Sequence, residues 1–264
     1  MSKQVFGTKE WAVANVNFVD GCSHNCKYCY SQEMAIRFGR KSPQTWHKEV
    51  IRTKAVEKNY KCFDGQVMVP SSHDITPIVL EEAILVISKL FTVGNNVLIV
   101  TKPHLVCVHR LCQEFKDYKQ NILFRFTIGS MDDEALKFWE PGAPEFSERF
   151  DCLKLAFNNG FNTSVSCEPF LDNKIVDLVH KLYPYVSDSL WIGKANMLMK
   201  RISTNGYHDP ETISQARELV EWQADPHNIN SIYTALIKFQ KVKWKESIKK
   251  VVGLQVSCEI GSDN

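Results

Sequence analysis

No stretch of this 264-residue chain approaches the ~18 consecutive apolar residues that a membrane-spanning helix needs. Residues 1–9 are short and polar and do not resemble a signal peptide. The sequence carries no internal repeat and no low-complexity segment, which removes solenoids and tethering linkers from the candidate architectures. An excess of one charge sign is missing too. With 32 Lys and Arg against 30 Asp and Glu, the net charge of +2 argues neither for nor against a nucleic-acid partner. Nine cysteines are an odd number and do not form a disulfide framework, so a reducing cytoplasm is the expected setting. Cys62, Cys107, Cys112 and Cys152 have no motif around them and are expected as small buried hydrophobes.

What the chain does have is an alternation of short apolar runs with helical segments. Strands are expected over 15–19, 66–70, 97–101, 122–128, 162–167 and 189–193, and helices over 31–40, 77–90, 106–118, 144–158 and 173–182. Thr76 and Pro77 are placed to start the second of these helices. The strand bodies are continuous and β-branched, as parallel strands covered on both faces should be. Alternating strand and helix implies right-handed crossovers and a parallel sheet. The strand bodies end in polar residues: Ser71-Ser72-His73-Asp74, Lys102, Thr127 and Ser130, Cys167-Glu168, and Lys194-Ala195-Asn196. In parallel α/β barrels such ends carry the chemistry.

The first strand runs into Gly21-Cys22-Ser23-His24-Asn25-Cys26-Lys27-Tyr28-Cys29-Tyr30, three cysteines spaced C-x3-C-x2-C. Thiolates are soft ligands that select iron–sulfur clusters, zinc or copper(I). Three in one short loop suit a [4Fe–4S] cluster with one open iron. A Cys3His zinc site is the alternative, but His24 lies between two of the cysteines, where reaching the same ion would strain the loop, and no second C-x2-C pair exists.

This spacing is the signature of the radical SAM superfamily, which the chain resembles. The resemblance implies a partial (β/α)6 barrel with a [4Fe–4S] cluster on Cys22, Cys26 and Cys29. It implies S-adenosylmethionine (SAM) chelated by the open iron and cleaved to a 5'-deoxyadenosyl radical that takes a hydrogen from substrate. From Val16 to Asp172 the chain looks most like the branch of spore photoproduct lyases and DNA repair photolyases. The tyrosine-flanked cysteine run, Leu98-Ile99-Val100-Thr101-Lys102, and Glu140-Pro141 followed by Arg149 carry that likeness. It implies SAM contacts from Lys102, Thr127 and Ser72, with Ser130 and Glu168 as further candidates. Glu168 is open to SAM's amine or ribose, or to substrate. Glu140 and Arg149 are equally readable as a structural ion pair.

One departure stands out. The photolyase-like branch places a hydrogen-donating cysteine after the second strand, and here that stretch reads Pro70-Ser71-Ser72. Cys167, Tyr30 and Tyr28 are therefore the candidates to close the reaction, with rim packing as the other role for each. Residues 1–205 are expected to form the barrel. Residues 206–264 are expected to form a helical C-terminal extension, with helices over 210–223 and 228–250. The lysine-rich stretch 238–250 reads as an amphipathic helix or as a nucleic-acid surface. The substrate class expected is a nucleic acid or nucleotide, against a peptide or small metabolite, or a non-catalytic metal-binding protein. Expected partners are a reductant such as flavodoxin or ferredoxin and a nucleic acid, without a membrane, around a monomer or weak dimer.

Overall fold

The computed structural model describes residues 5, 7–256 and 258–261; residues 1–4 of the polar lead-in lie outside them. β1 (Ala14–Asn15) opens the main sheet, and β2 (Val19–Asp20) pairs antiparallel with β3 (Val50–Ile51). The single strand expected over 15–19 is thus split. Asn17 Oδ1 accepts from the Ser71 and Ser72 amides at 2.7 and 2.9 Å, and Phe18 N–H donates to His73 Nε2 at 3.1 Å. These bonds pull the backbone off the sheet. α1 (Tyr30–Arg37) follows the cysteine loop and α2 (Thr53–Glu57) follows β3.

The alternation then unfolds much as expected: β4 (Val67–Val69), α3 (Leu80–Thr92), β5 (Val97–Thr101), α4 (Leu105–Glu114), β6 (Ile122–Thr127), α5 (Asp133–Trp139), α6 (Phe146–Asn158), β7 (Asn162–Cys167), α7 (Ile175–Leu182) and β8 (Leu190–Ile192). α8 (Leu198–Thr204), α9 (Pro210–Ala224) and α10 (Pro226–Leu236) come next. The continuous helix expected over 228–250 is not there. It is α10, then β9 (Val242–Trp244), then α11 (Glu246–Val252).

The main sheet has seven parallel strands in the order β1-β4-β5-β6-β7-β8-β9. Six units were expected; the seventh strand comes from the lysine-rich stretch. Helices cover the outer face. α3 buries Leu80, Ala83, Ile84, Ile87, Leu90 and Phe91, the i, i+3, i+4, i+7 stripe of a helix seated on a sheet. The inner face carries a smaller cluster of Trp11, Met68, Leu98, Leu123 and Trp191. Within it the Arg125 guanidinium lies over both indoles, 4.6 Å from the Trp11 ring and 5.6 Å from the Trp191 ring, and Nε donates to Ser164 at 2.9 Å. No helix among the described residues is long and apolar enough to cross a membrane.

Candidate cofactor cavity at the strand ends

A cavity of about 510 Å³ opens at the C-terminal ends of the strands, and Cys22, Cys26 and Cys29 all line it. The loop that carries them is held on every side. Gly21 sits at φ +98°, and a Cβ there would run into the carbonyl oxygens of Lys48 and Trp46. Ser23 donates from its amide and its hydroxyl to Glu49 Oε1, at 3.0 and 2.9 Å. Gly142 N–H donates to the His24 carbonyl at 3.0 Å, and Lys27 N–H to that of Trp139 at 2.9 Å. A side chain on Gly142 would collide with the Ser23 carbonyl. Asn205 Nδ2 donates to the carbonyls of Lys27 and Cys29 at 2.9 and 3.0 Å. The Cys29 sulfur accepts from Gln32 N–H and so caps α1.

Burial pushes all three thiols upward, Cys26 to about 12, where Glu140 adds to the effect and Lys102 opposes it. Such thiols ionise only when a metal's positive charge joins them. His24 is engaged elsewhere. Its Nε2 lies 2.9 Å from His104 Nε2 and its Nδ1 lies 3.2 Å from Asp74 Oδ2. The histidine that would complete a Cys3His zinc site is therefore taken. Three free cysteines line one cavity while His24 is engaged elsewhere, a donor set whose chemistry fits a cluster with an open iron.

Beside the thiols stands a buried charged group. Glu140 and Arg149, both fully buried, pair at 2.5 Å, the Lys102 ammonium is 3.9 Å from Glu140, and the Tyr28 hydroxyl donates to the same carboxylate. Glu140 and Arg149 are thus an ion pair beneath the cavity. Burial opposes a charge on Lys102, but Cys26, Glu140 and Asp74 together outweigh it and raise it above the ordinary lysine range. Burial likewise opposes the Asp74 carboxylate; His24, Lys102 and the Thr101 hydroxyl hold it well below the ordinary range. Asp74 also accepts from the Lys102 and Ile75 amides at 3.0 and 2.8 Å. It is the hub that joins the ends of β4 and β5 to the cysteine loop. Sequence reasoning placed it at a strand end without giving it a task; its string of neighbours comes from three separate segments.

Of the other sequence-derived candidates, Ser72, Thr127, Glu168, Tyr28 and Tyr30 line the cavity. The Tyr30 hydroxyl donates to the Ser71 carbonyl, and Tyr30 is 41% exposed at the rim. Two candidates do not line it. Cys167 is fully buried and packs with Val165 in the layer between sheet and helices, while its neighbour Ser166 faces the cavity. Successive strand residues point to opposite faces, and the barrel takes the serine. Ser130 turns into the loop instead, where its hydroxyl donates to Asp172 and accepts from Asp132 N–H. Cys107, Cys112 and Cys152 are buried as expected, but Cys62 is exposed. Lys194, Arg201 and Trp11 line the cavity. Of these, Lys194 is the polar end of the sixth expected strand and the alternative to Lys102 for the SAM carboxylate, whereas Arg201 and Trp11 were not singled out.

The sequence profile of the radical SAM superfamily matches residues 16–182. An uncharacterised protein of Acidianus two-tailed virus, ORF301, is 26% identical over an alignment of 178 residues that covers 62% of this chain and 58% of that protein. The chain thus matches little more than half the length of that relative. Among solved structures, spore photoproduct lyase complexed with dinucleoside spore photoproduct superposes with a TM-score of 0.55 at 14% identity, over 87% of this chain and 75% of that one. Streptococcus suis SuiB bound to S-adenosylmethionine gives 0.53 at 10% identity, over 94% and 54%. At these identities the structures share a fold. The profile, which begins just before the cysteine loop and runs through β7 to the end of α7, covers well over half of the chain, and the chain belongs to the radical SAM superfamily.

Proposed function

We propose that this chain is a radical SAM enzyme that binds a [4Fe–4S] cluster on Cys22, Cys26 and Cys29 and acts on a nucleotide or nucleic acid. The observation that carries the reading is the convergence of three free thiols and a half-buried lysine on one cavity at the ends of parallel strands. Bound there, the cluster and SAM would supply a 5'-deoxyadenosyl radical, with the electron drawn from a reductant such as flavodoxin or ferredoxin. The residues of the chain do the rest. Lys102, its charge secured by Glu140 and Asp74, offers a cation to the SAM carboxylate in an enclosed site where a charge-assisted hydrogen bond is strong. Ser72 and Thr127 offer hydroxyls from the same cavity wall. Burial and Glu140 keep the Tyr28 phenol protonated, and its hydroxyl is committed to that carboxylate, so it packs beside the cluster loop and positions it. Tyr30 has its hydroxyl at the rim, on the carbonyl of Ser71. It is the candidate to return a hydrogen atom to the substrate.

The nucleotide reading draws support from the fold shared with spore photoproduct lyase, whose solved complex holds a dinucleoside lesion. The test is anaerobic reconstitution followed by reduction with SAM present. About four iron and four sulfide per chain and formation of 5'-deoxyadenosine are expected. Cys22→Ala, Cys26→Ala and Cys29→Ala should each lose both, and Cys152→Ala, in the helical layer, should lose neither. A full cluster retained in Cys26→Ala would refute the assignment.

A further inference from the structure

The charges around the cavity do not balance. Its lining carries four cations, Lys9, Lys102, Lys194 and Arg201, and two carboxylates, Asp74 and Glu168. Both carboxylates are already engaged. Asp74 is held by His24, Thr101 and the Lys102 amide. Glu168 is 3.4 Å from Lys245, a buried ammonium that also meets Glu10 at 3.0 Å. Lys102 is matched by Glu140. Neither Lys194 nor Arg201 forms a salt bridge among the described residues: Lys194 feels the carboxylate of Glu246, which is itself paired with Lys250 at 2.6 Å, and the Arg201 Nε is buried without a hydrogen-bond partner. The Arg201 guanidinium lies 5.9 Å from the Tyr30 ring, at the same rim.

The turn that presents them is rigidly held. A Cβ on Gly193 would come within 2.9 Å of both Glu168 Cγ and Lys245 Cγ. The Lys194 amide donates to Ser247 Oγ at 3.0 Å and the Ala195 amide to Gln223 Oε1 at 2.7 Å. Met197, which precedes α8, adopts a left-handed conformation at φ +54°, costly for a residue with a side chain. Arg201 follows one turn into α8, which Asn205 ties to the cysteine loop. Thus α9 and α11 reach across to fix the β8–α8 turn. Both residues are half-buried, but the Arg201 Nε has lost water without gaining a partner, a cost that an anion joining it would offset. They stand on β8 and α8, three strands along the sheet from Lys102 on β5, so the single carboxylate of SAM does not account for both places.

Resting on the nucleotide reading above, we propose that Lys194 and Arg201 form an anion subsite that grips a phosphate of the substrate. A planar guanidinium fork and a point ammonium lining one cavity suit a phosphate, which presents several acceptor oxygens. Held there, the substrate would lie along Tyr30.

The experiment measures equilibrium binding of a dinucleoside monophosphate, and separately of SAM, to the cluster-loaded protein. Lys194→Gln and Arg201→Gln are each expected to weaken the dinucleotide by about tenfold, while SAM affinity stays within about twofold. Lys102→Ala is expected to show the reverse pattern. Cluster absorbance and thermal unfolding of each variant establish that it is folded, and Arg201→Lys should recover part of the loss. Unchanged dinucleotide affinity in both variants would overturn the proposal, as would a parallel loss of SAM affinity, which would make this wall the seat of the SAM carboxylate. If the parent binds no dinucleotide, the nucleotide reading fails. The subsite is then read with pyrophosphate: saturable binding lost in both variants upholds it, and no binding ends it.

Discussion

Lys102 shows how one side chain gathers its meaning from its surroundings. It closes an apolar strand, its ammonium faces Glu140, and its amide binds Asp74. Lys102→Ala should weaken SAM by about 1.5–3 kcal/mol, the size of one hydrogen bond to a charged group, without changing iron content. Calorimetry on the cluster-loaded variant checks it. Cys167 and Tyr30 make the opposite pair. Cys167 was readable as a hydrogen donor because it ends a strand, but along β7 the polar Ser164 and Ser166 alternate with the apolar Val165 and Cys167, and the apolar parity packs against the helices. The structure gives the cavity to Ser166. Cys167→Ala should therefore leave the product distribution unchanged. Tyr30→Phe should still form 5'-deoxyadenosine while the normal product falls and an aberrantly quenched one rises, as chromatography of the reaction would show. That Cys22, Cys26, Cys29 and Lys102 meet at the strand ends was legible, because loop spacing and strand position put them there. Arg201 was not, because it lies on a short helix whose place beside the cysteine loop is set by Asn205, far away in sequence.

Among elements, strand and helix order was legible where tertiary packing agreed with local pattern. β5 occupies the expected residues, since an unbroken apolar, β-branched run between turn residues has few other uses, and β7 does so too with Thr163 and Val165 alternating with serines. α5 was missed, although Asp132 announces it by accepting from the amides of Glu134 and Ala135. β9 was misread because Ile237, Trp244, Ile248 and Val251 repeat at helical spacing. The shorter alternation won: Val242 and Trp244 are buried, Lys243 is half-buried between them, and all three pair with β8. Trp244 packs against Tyr233 with ring centroids 5.2 Å apart. Trp244→Ala should cost about 3–5 kcal/mol in urea unfolding, a core value that a solvated helix face would not produce.

At the scale of the whole molecule, acid should loosen the fold through His73. Burial holds this imidazole down to about 4, against an ordinary 6.5. Its Nδ1–H donates to the Asp74 carbonyl at 2.9 Å and its Nε2 accepts from Phe18 N–H, so a second proton would break the latter bond. The unfolded chain takes up a proton that the folded one refuses. This contribution is intact above about pH 6.5 and is lost as pH falls toward about 4, amounting to about 3 kcal/mol in full. Denaturant titrations of the metal-free protein across that range should show the slope, and His73→Gln should flatten it. A last consequence belongs to the stack of Trp11, Arg125 and Trp191 on the inner face of the sheet. Trp11 forms part of the cavity floor, and the fully buried Arg125 and Trp191 fill the space beneath it. If the strand-end mouth is the way in for both, then for the proposed reaction the coenzyme must be seated before the substrate covers it, and spent deoxyadenosine waits until the product has gone. Turnover then follows a compulsory queue, last in and first out.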